Sequence, residues 1–358
     1  MSFPTVAIIG LGFGRAHIPA FQAQGCRVVA LCQRDQASAK KIADAYGVPH
    51  VYARWEEALE RARPEIVVIA TPPHLHRDIA LAALGAGAHV LCEKPVAMTQ
   101  AEARAMVDAA ARAGRVAMTG FNWRFPAAMQ RMRAMVADGF VGRVLHLSGR
   151  WFGARWADEA AAATWRMDRA QAGHGAMGDM GVHLVDLARW MCGDVRRVVA
   201  HAGVAYPRTV PGTGKAADAE DYATVLAELA SGAQATLAVS RAAHGRNDHA
   251  LEIYGTRGAL AYRLTREQPR WYTGELLAAA SGGSLQPVAI DAPAVEGGDQ
   301  MDVLGKATIG PLVARMLDAI RTGASASPSL ADGLAAQAVL DAVLDSISRH
   351  AWVDVPPT

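Results

Sequence analysis

Along the first 125 residues, short apolar runs alternate with amphipathic stretches. The runs at 6–9, 28–32, 66–70, 90–92 and 116–120 are often β-branched and are bounded by Gly, Pro or polar residues. That pattern predicts strands buried on both faces of a parallel sheet. The stretches at 37–46, 55–61, 77–84 and 100–113 read as helices between them. Strand and helix in alternation, with short joins, predict a doubly wound sheet covered on both faces.

Past residue 125 the pattern changes. A helix over 127–138 leads to a strand over 144–152, then to a Trp- and Arg-bearing stretch without clear period, then to a helix over 177–191. Strands at 198–205, 222–229, 234–240, 250–254 and 259–263 follow, joined by turns at Ser231-Gly232 and at 255–258. Consecutive strands with short turns predict a large, mostly antiparallel sheet in a second, α+β domain. The available helices cover one face of it, so the other is expected to be open and to mediate self-association. Residues 281–284 read as a loop. Helices over 309–321 and 330–349 close the chain, the second behind Pro328 with Ser329 as its cap. The expected domains are 1–125 and 126–358, with the last helix packing back on the first.

Composition narrows the class of function. At 358 residues the chain has room for about two domains. Hydrophobic residues at 51% and charged ones at 20% exclude a mainly disordered chain. Lys and Arg number 36 against 34 Asp and Glu, a net charge of +2. No clustered basic excess remains to bind nucleic acid or an anionic membrane. No apolar run approaches the roughly 20 residues that span a bilayer. Residues 1–9 lack the features of a signal peptide, so a soluble, cytoplasmic protein is expected. Cys26, Cys32, Cys92 and Cys192 form no CxxC pair and read as small buried hydrophobes, and no metal site is expected.

Directly after the first strand comes Gly10-Leu11-Gly12-Phe13-Gly14-Arg15-Ala16-His17. Gly10 permits the tight turn, and Gly12 lets the backbone approach a pyrophosphate at the N-terminus of the following helix. The third glycine stands one residue early at Gly14, and Arg15 occupies its usual place. At the end of the second strand, where an NAD site would carry a carboxylate for the ribose, the chain has Gln33 and Arg34. Without that carboxylate a 2′-phosphate is not repelled, and Arg34 is available to bind it, which favours NADP over NAD. The alternative is a solvated Arg34, with Asp35 reaching the ribose.

Three segments lie at the carboxyl ends of later strands: Thr71-Pro72-Pro73-His74-Leu75-His76, Cys92-Glu93-Lys94-Pro95 and Gly120-Phe121-Asn122-Trp123-Arg124-Phe125. With Gly173-His174-Gly175-Ala176-Met177-Gly178-Asp179-Met180-Gly181-Val182-His183 they resemble, in order and spacing, the glucose-fructose oxidoreductase and inositol dehydrogenase (Gfo/Idh/MocA) family. The resemblance covers nearly the whole chain. It implies an N-terminal Rossmann domain and an NAD(P)-dependent dehydrogenase or reductase acting on a CH–OH group of a sugar, polyol or inositol-like substrate. By the same resemblance Lys94, Asp179 and His183 match the catalytic lysine, aspartate and histidine. The cofactor would be bordered by Gly10, Gly12, Phe13, Gly14, Gln33, Arg34, Thr71, Pro72, Pro73, His76, Glu93, Lys94, Asn122, Trp165 and Arg166. The substrate would meet Lys94, Asn122, Arg166, Asp179 and His183. The early Gly14, and His174 where glycine is common, depart from the family pattern.

The residue types carry that chemistry in their own right. Oxidising a secondary alcohol needs a base for the hydroxyl proton, and the reverse reaction needs an acid at the same place. His183 serves as either near neutral pH. Asp179 precedes it by four residues, so on a helix the two share a face and the carboxylate can orient the imidazole. Lys94 supplies a cation for the substrate oxygen and a cofactor ribose hydroxyl. Trp151, Trp156 and Trp165, with Arg150, Arg155 and Arg166, are read either as a stacking and hydrogen-bonding surface for a sugar or as packing under a long loop. A non-sugar substrate such as a cyclic diol would suit the same trio, and a catalytically silent nucleotide-binding regulator is a third reading.

Overall fold

A computed structural model describes residues 4–266 and 270–358. It divides into two compact units, one of the residues up to Phe125 with Val295–Leu334, the other of Pro126–Ala294 with Ala335–Thr358.

The first unit holds a six-stranded sheet built from β1 (Thr5–Ile9), β2 (Arg27–Cys32), β3 (His50–Tyr52), β4 (Ile66–Ile69), β5 (His89–Cys92) and β6 (Ala117–Thr119). The strands run in the order β3-β2-β1-β4-β5-β6, and every pair is parallel. This is the doubly wound sheet expected from the alternation of runs. β4 is buried at every position, as a strand covered on both faces must be. One face packs Val67, Ile69, Val90 and Cys92 under Ile79, Ala83, Met106 and Ala110, and Leu330 and Leu334 join this core. The chain reverses its winding between β1 and β4, the point at which such sheets open a crevice at their carboxyl ends.

Helix ends follow local chemistry. Asp35 accepts the amide of Ser38 to start Gln36–Tyr46, and Gly47 ends that helix at φ +67°. Thr99 and Gly114 do the same for Gln100–Ala113. Ser329 and Asp332 cap the final helix, Leu330–Arg349, reciprocally: Asp332 N donates to Ser329 Oγ at 3.2 Å and Ser329 N to Asp332 Oδ2 at 2.7 Å. The segment Val295–Leu334 is tied into the first unit through Arg15 to Asp299 (2.7 Å), Asn122 Nδ2 to Thr308 Oγ1 (2.8 Å) and Arg124 to Asp332 (3.2 Å).

The second unit carries a nine-stranded sheet of β7 (Val144–Gly153), β8 (Val195–Gly203), β9 (Tyr222–Leu229), β10 (Gln234–Ser240), β11 (Asn247–Gly255), β12 (Gly258–Thr265), β13 (Glu275–Ala280), β14 (Gln286–Pro287) and β15 (Val353–Asp354). It is antiparallel except where β7 and β10 pair in parallel. β9 and β10 alternate buried and exposed positions, the mark of a sheet covered on one face. The helices Ala127–Ala137 and Val182–Cys192 lie on the covered face. On β7, Gly149 leaves room for Leu184 and Leu237: a Cβ there would stand 3.1 Å from Leu237 Cδ2 and 3.5 Å from Leu184 Cδ2. The open face exposes Tyr222, Leu226 and Tyr254. β13 was hidden in the sequence because Glu-Leu-Leu-Ala-Ala-Ala has helix-favouring composition, and only its pairing with β12 makes it a strand.

Candidate active site

The glycine turn divides its labour clearly. Gly10 adopts φ +90°, and a Cβ there would lie 2.5 Å from Ala70 O, so β1 and β4 can leave the sheet side by side only if this residue is glycine. A Cβ on Gly12 would meet nothing within 4 Å, so the backbone at Gly12 faces open space. Gly14 sits 3.0 Å from Ala70 Cβ and 3.2 Å from Ile8 Cγ2 by the same measure. Gly14 therefore does the close-packing work of the third glycine although it stands one residue early, because the chain enters its helix through a short 3-10 turn, Gly14–Ala16. Arg15, in the usual place of that glycine, points away to Asp299. Thr71, just past β4, has a buried hydroxyl with no hydrogen-bond partner. An open glycine backbone and a buried hydroxyl short of a partner, both at the winding reversal, fit a dinucleotide there.

Around the turn several predicted residues are held by one another. Phe13 meets the His17 ring edge-on at 6.1 Å, and buried His17 Nε2 lies 2.8 Å from Glu93 Oε1. Gly120 faces the same carboxylate, since a Cβ there would stand 2.7 Å from Glu93 Oε1. Glu93 Oε2 also accepts the Lys94 amide at 3.3 Å. Pro72 and Pro73 open the 3-10 turn Pro73–Leu75, and His76 begins the next helix. The His76 ring bridges Thr71 O (2.8 Å) and Pro95 O (3.0 Å), tying the β4 loop to the Glu-Lys-Pro turn, and burial lowers its pKa. Lys94 is half-buried at the carboxyl end of β5. Asn122 is buried against Thr308. At the ribose position Gln33 is half-buried and its carbonyl accepts from Gln36, Arg34 is exposed, and Asp35 is engaged as a helix cap.

In the second unit Asp179 and His183 occupy a helix that starts unusually. Met177–Gly181 forms one π-helical turn, and Val182–Cys192 continues as α-helix. Such widened turns recur at functional sites. The sequence spacing implied a plain α-helix; instead Asp179 sits in the widened turn and His183 one turn further on. Glu220 secures the approach: its Oε1 accepts the amides of Gly175 (2.7 Å) and Met177 (3.2 Å). A Cβ on Gly175 would stand 2.0 Å from Glu220 O, so the chain passes there only as glycine.

His183 is 3% exposed and lies in a column of rings. Trp151 is 5.5 Å from it at 31°, His249 is 4.6 Å from Trp151, and Tyr262 stacks on His249 at 5.4 Å with its hydroxyl 3.2 Å from His249 Nε2. Burial, with Arg266 nearby, lowers the His249 pKa to about 3, so this imidazole is neutral. Trp151 and His249 are register partners on β7 and β11. Sequence reasoning could not see that pair before the strands were aligned, and it missed His249, Tyr262 and Glu220 altogether.

The Trp- and Arg-bearing stretch resolves into two jobs. Trp156 is buried with Ala163 and Met167, taking the packing role rather than presenting a face to a sugar. Arg241 lies over Trp156, donates to Asp221 Oδ1 at 2.7 Å and holds Arg166 O at 3.0 Å. Arg208 binds the carbonyls of Trp156, Asp158 and Ala161 and stands 3.8 Å from Asp221. Trp165 and Arg166 stack at 4.3 Å, and Arg166 Nε is 3.9 Å from Asp179 Oδ1. Arg150 turns to Asp248 at 3.4 Å. His174, the departure from the family pattern, is buried beside Gln337 and Asp341, and burial lowers its pKa to about 4.

Comparison with known proteins agrees with this geometry. Residues 5–121 match the oxidoreductase family with an NAD-binding Rossmann fold, and residues 129–261 match the GFO/IDH/MocA C-terminal domain. Levoglucosan dehydrogenase of Pseudarthrobacter phenanthrenivorans is 30% identical over 98% of both chains, and inositol 2-dehydrogenase of Rhizobium meliloti is 29% identical over 97% of this chain and 98% of that one. The structure of a levoglucosan dehydrogenase in complex with NADH and levoglucosan superposes with a TM-score of 0.89 at 30% identity, over 99% of this chain and all of that one. The chain belongs to the GFO/IDH/MocA oxidoreductase family, with an NAD-binding Rossmann domain followed by the family's C-terminal domain.

Proposed function

We propose that the protein is an NAD(P)-dependent dehydrogenase or reductase that interconverts a secondary alcohol and a ketone on a sugar, polyol or inositol-like substrate. The observation that carries this reading is the placement of Asp179 and buried His183 one turn apart at the start of a helix, in a chain similar end to end to dehydrogenases of levoglucosan and inositol. Gly10, Gly12, Gly14 and Thr71 would hold the dinucleotide, whose nicotinamide takes up or returns hydride when bound. His183 accepts the hydroxyl proton in oxidation and returns it in reduction. Asp179, one turn before it, orients His183. Lys94 holds the substrate oxygen.

The cofactor preference follows from the second strand. Gln33 and exposed Arg34 stand where a carboxylate would repel a 2′-phosphate, and the Asp35 carboxylate is committed to its helix. NADP is therefore favoured over NAD, although structures of a related levoglucosan dehydrogenase hold NADH; one relative in Haloferax volcanii, a D-xylose 1-dehydrogenase, is named for NADP. Arg34→Ala is expected to weaken NADPH binding by about tenfold or more and NADH binding little, as the loss of a charge-assisted bond requires. Fluorescence titration of both cofactors checks it, and equal losses would contradict the preference.

Self-association through the open face of the nine-stranded sheet belongs to the same reading. Tyr222 is 41% and Leu226 47% exposed, four residues apart on one side of β9, an apolar pair that a second subunit would cover. Light scattering at micromolar concentration should give a dimer or tetramer; a monomer mass would contradict it. A cytoplasmic location goes with four unpaired thiols, three of them buried, which suit a reducing compartment. Fractionation that recovers the protein elsewhere would contradict that.

A further inference from the structure

His17 and His76, 0% and 1% exposed in the first unit, are not needed for the proton transfer assigned to His183, yet both reach the turn that carries Lys94. His17 opens the helix that follows the glycine turn, and its Nε2 lies 2.8 Å from Glu93 Oε1. Its Nδ1 is buried and meets no hydrogen-bond partner among the described residues, so Glu93 supplies the bond that makes burying this ring tolerable. The carboxylate is pinned in turn. Its Oε2 accepts the Lys94 amide at 3.3 Å, and Gly120 leaves it room, since a Cβ there would stand 2.7 Å from Oε1. His76 opens the helix after β4, with Nδ1 3.0 Å from Pro95 O and Nε2 2.8 Å from Thr71 O. A carbonyl only accepts, so the ring holds the Lys94 turn by donating from Nδ1 to Pro95 O, and the β4 loop by donating from Nε2 to Thr71 O.

Lys94 therefore stands between two anchored neighbours. Residue 93 is held through its side chain by the helix after the glycine turn, and residue 95 through its carbonyl by the helix after β4. A long, flexible lysine side chain places its amine no better than the backbone it hangs from, and a misplacement of about 1 Å at a reacting centre costs about 10²-fold. We propose that His17 and His76 are positioning residues that clamp the Glu93-Lys94-Pro95 turn from two helices, so that the Lys94 amine meets the substrate oxygen in one place. Each acts through the turn and exchanges no proton with the substrate. The effect on rate rests on the role given to Lys94 in the proposed function; the clamp itself is a property of the first unit and is measurable without a substrate.

Amide substitutions separate the two ring nitrogens, because a glutamine amide stands about where histidine Nε2 does and an asparagine amide about where Nδ1 does. The clamp uses Nε2 at position 17 and Nδ1 at position 76. His17→Gln and His76→Asn should therefore stay within about threefold of the parent in kcat at saturating cofactor, while His17→Asn and His76→Gln should lose about tenfold to a hundredfold. Hydrogen exchange read by mass spectrometry on the peptide spanning 90–98 reports the turn directly. Its amides, Lys94 N–H among them, should exchange about tenfold or more faster in His17→Asn and His76→Gln, and at the parent rate in the other two. Gly120→Ala presses on the Glu93 carboxylate without altering either histidine, and should give the same faster exchange, which keeps the test open should a histidine variant not fold. Losses that are equal in all four histidine variants and follow their melting temperatures would show that the rings only fill space, and would overturn the clamp. Parent-like exchange of the turn in His17→Asn, His76→Gln and Gly120→Ala would overturn it too. A parent enzyme without turnover on any sugar or polyol would count against the dehydrogenase, whereas the exchange pattern decides the clamp in either case.

Discussion

Replacing His183 by alanine is expected to lower turnover by about 10²- to 10⁴-fold, the usual worth of a positioned proton donor and acceptor, while NADPH affinity stays nearly constant. His183 is assigned to the proton transfer, whereas the glycine turn, the Thr71 hydroxyl and the Gln33-Arg34 position are assigned to the dinucleotide, so the loss should appear in kcat rather than in cofactor binding. The side chain also braces the ring of Trp151, so His183→Asn, closer in size and polarity but without a proton to exchange near neutral pH, is the companion variant. Both should lose the same step. Steady-state rates under conditions where chemistry is limiting decide it; unchanged turnover in both would show that the proton goes elsewhere, with Lys94 the next candidate.

Asp221→Ala should be the most destabilising single change near the site. Asp221 is 1% exposed, Arg241 is 1% and Arg208 is 8%, so removing the carboxylate leaves two cations without their compensating charge. Breaking a buried pair in this way costs about 3–5 kcal/mol. Because Arg241 also holds Arg166 O and Ala219 O, and Arg208 holds three carbonyls between 156 and 161, the loop bearing Trp165 and Arg166 should loosen together with the fold. Urea unfolding measures the loss, and a change below about 1 kcal/mol would show that solvent or another group already compensates these arginines.

How far the fold was legible in the sequence depended on whether a signal was local. The buried strands of the first unit were visible because a strand covered on both faces is a continuous apolar run, and the helices because the stretches between those runs are amphipathic; of the caps only Ser329 was legible beforehand, while Asp35 and Thr99 show theirs in the structure. Gly10, Gly12 and Gly14 could be placed from their position after β1, and the structure explains the early Gly14 by a 3-10 turn that no spacing rule contains. What stayed hidden came from pairing between distant segments. Trp151 and His249 lie almost a hundred residues apart and meet only through the β7–β11 register. Glu220 reads as an ordinary surface carboxylate until the chain at Gly175 is laid against it. β13 looks helical until β12 supplies its hydrogen bonds. The tail segment Val295–Leu334 joins the first unit through Arg15, Asn122 and Arg124, contacts that leave no periodic trace in sequence.

If the protein moves hydride between a sugar-type carbinol carbon and a nicotinamide, a deuterium on that carbon must arrive on the cofactor. Candidate sugars, polyols, inositols and their acids are offered with NADP and with NAD, absorbance at 340 nm is followed, and the substrate that responds is then supplied with deuterium at its carbinol carbon. The reduced cofactor should carry that deuterium at nicotinamide C4, with NADP the better acceptor and the signal lost in His183→Ala. No reduction of either cofactor by any member of the panel, and no oxidation of NADPH or NADH by the corresponding ketones, would contradict it.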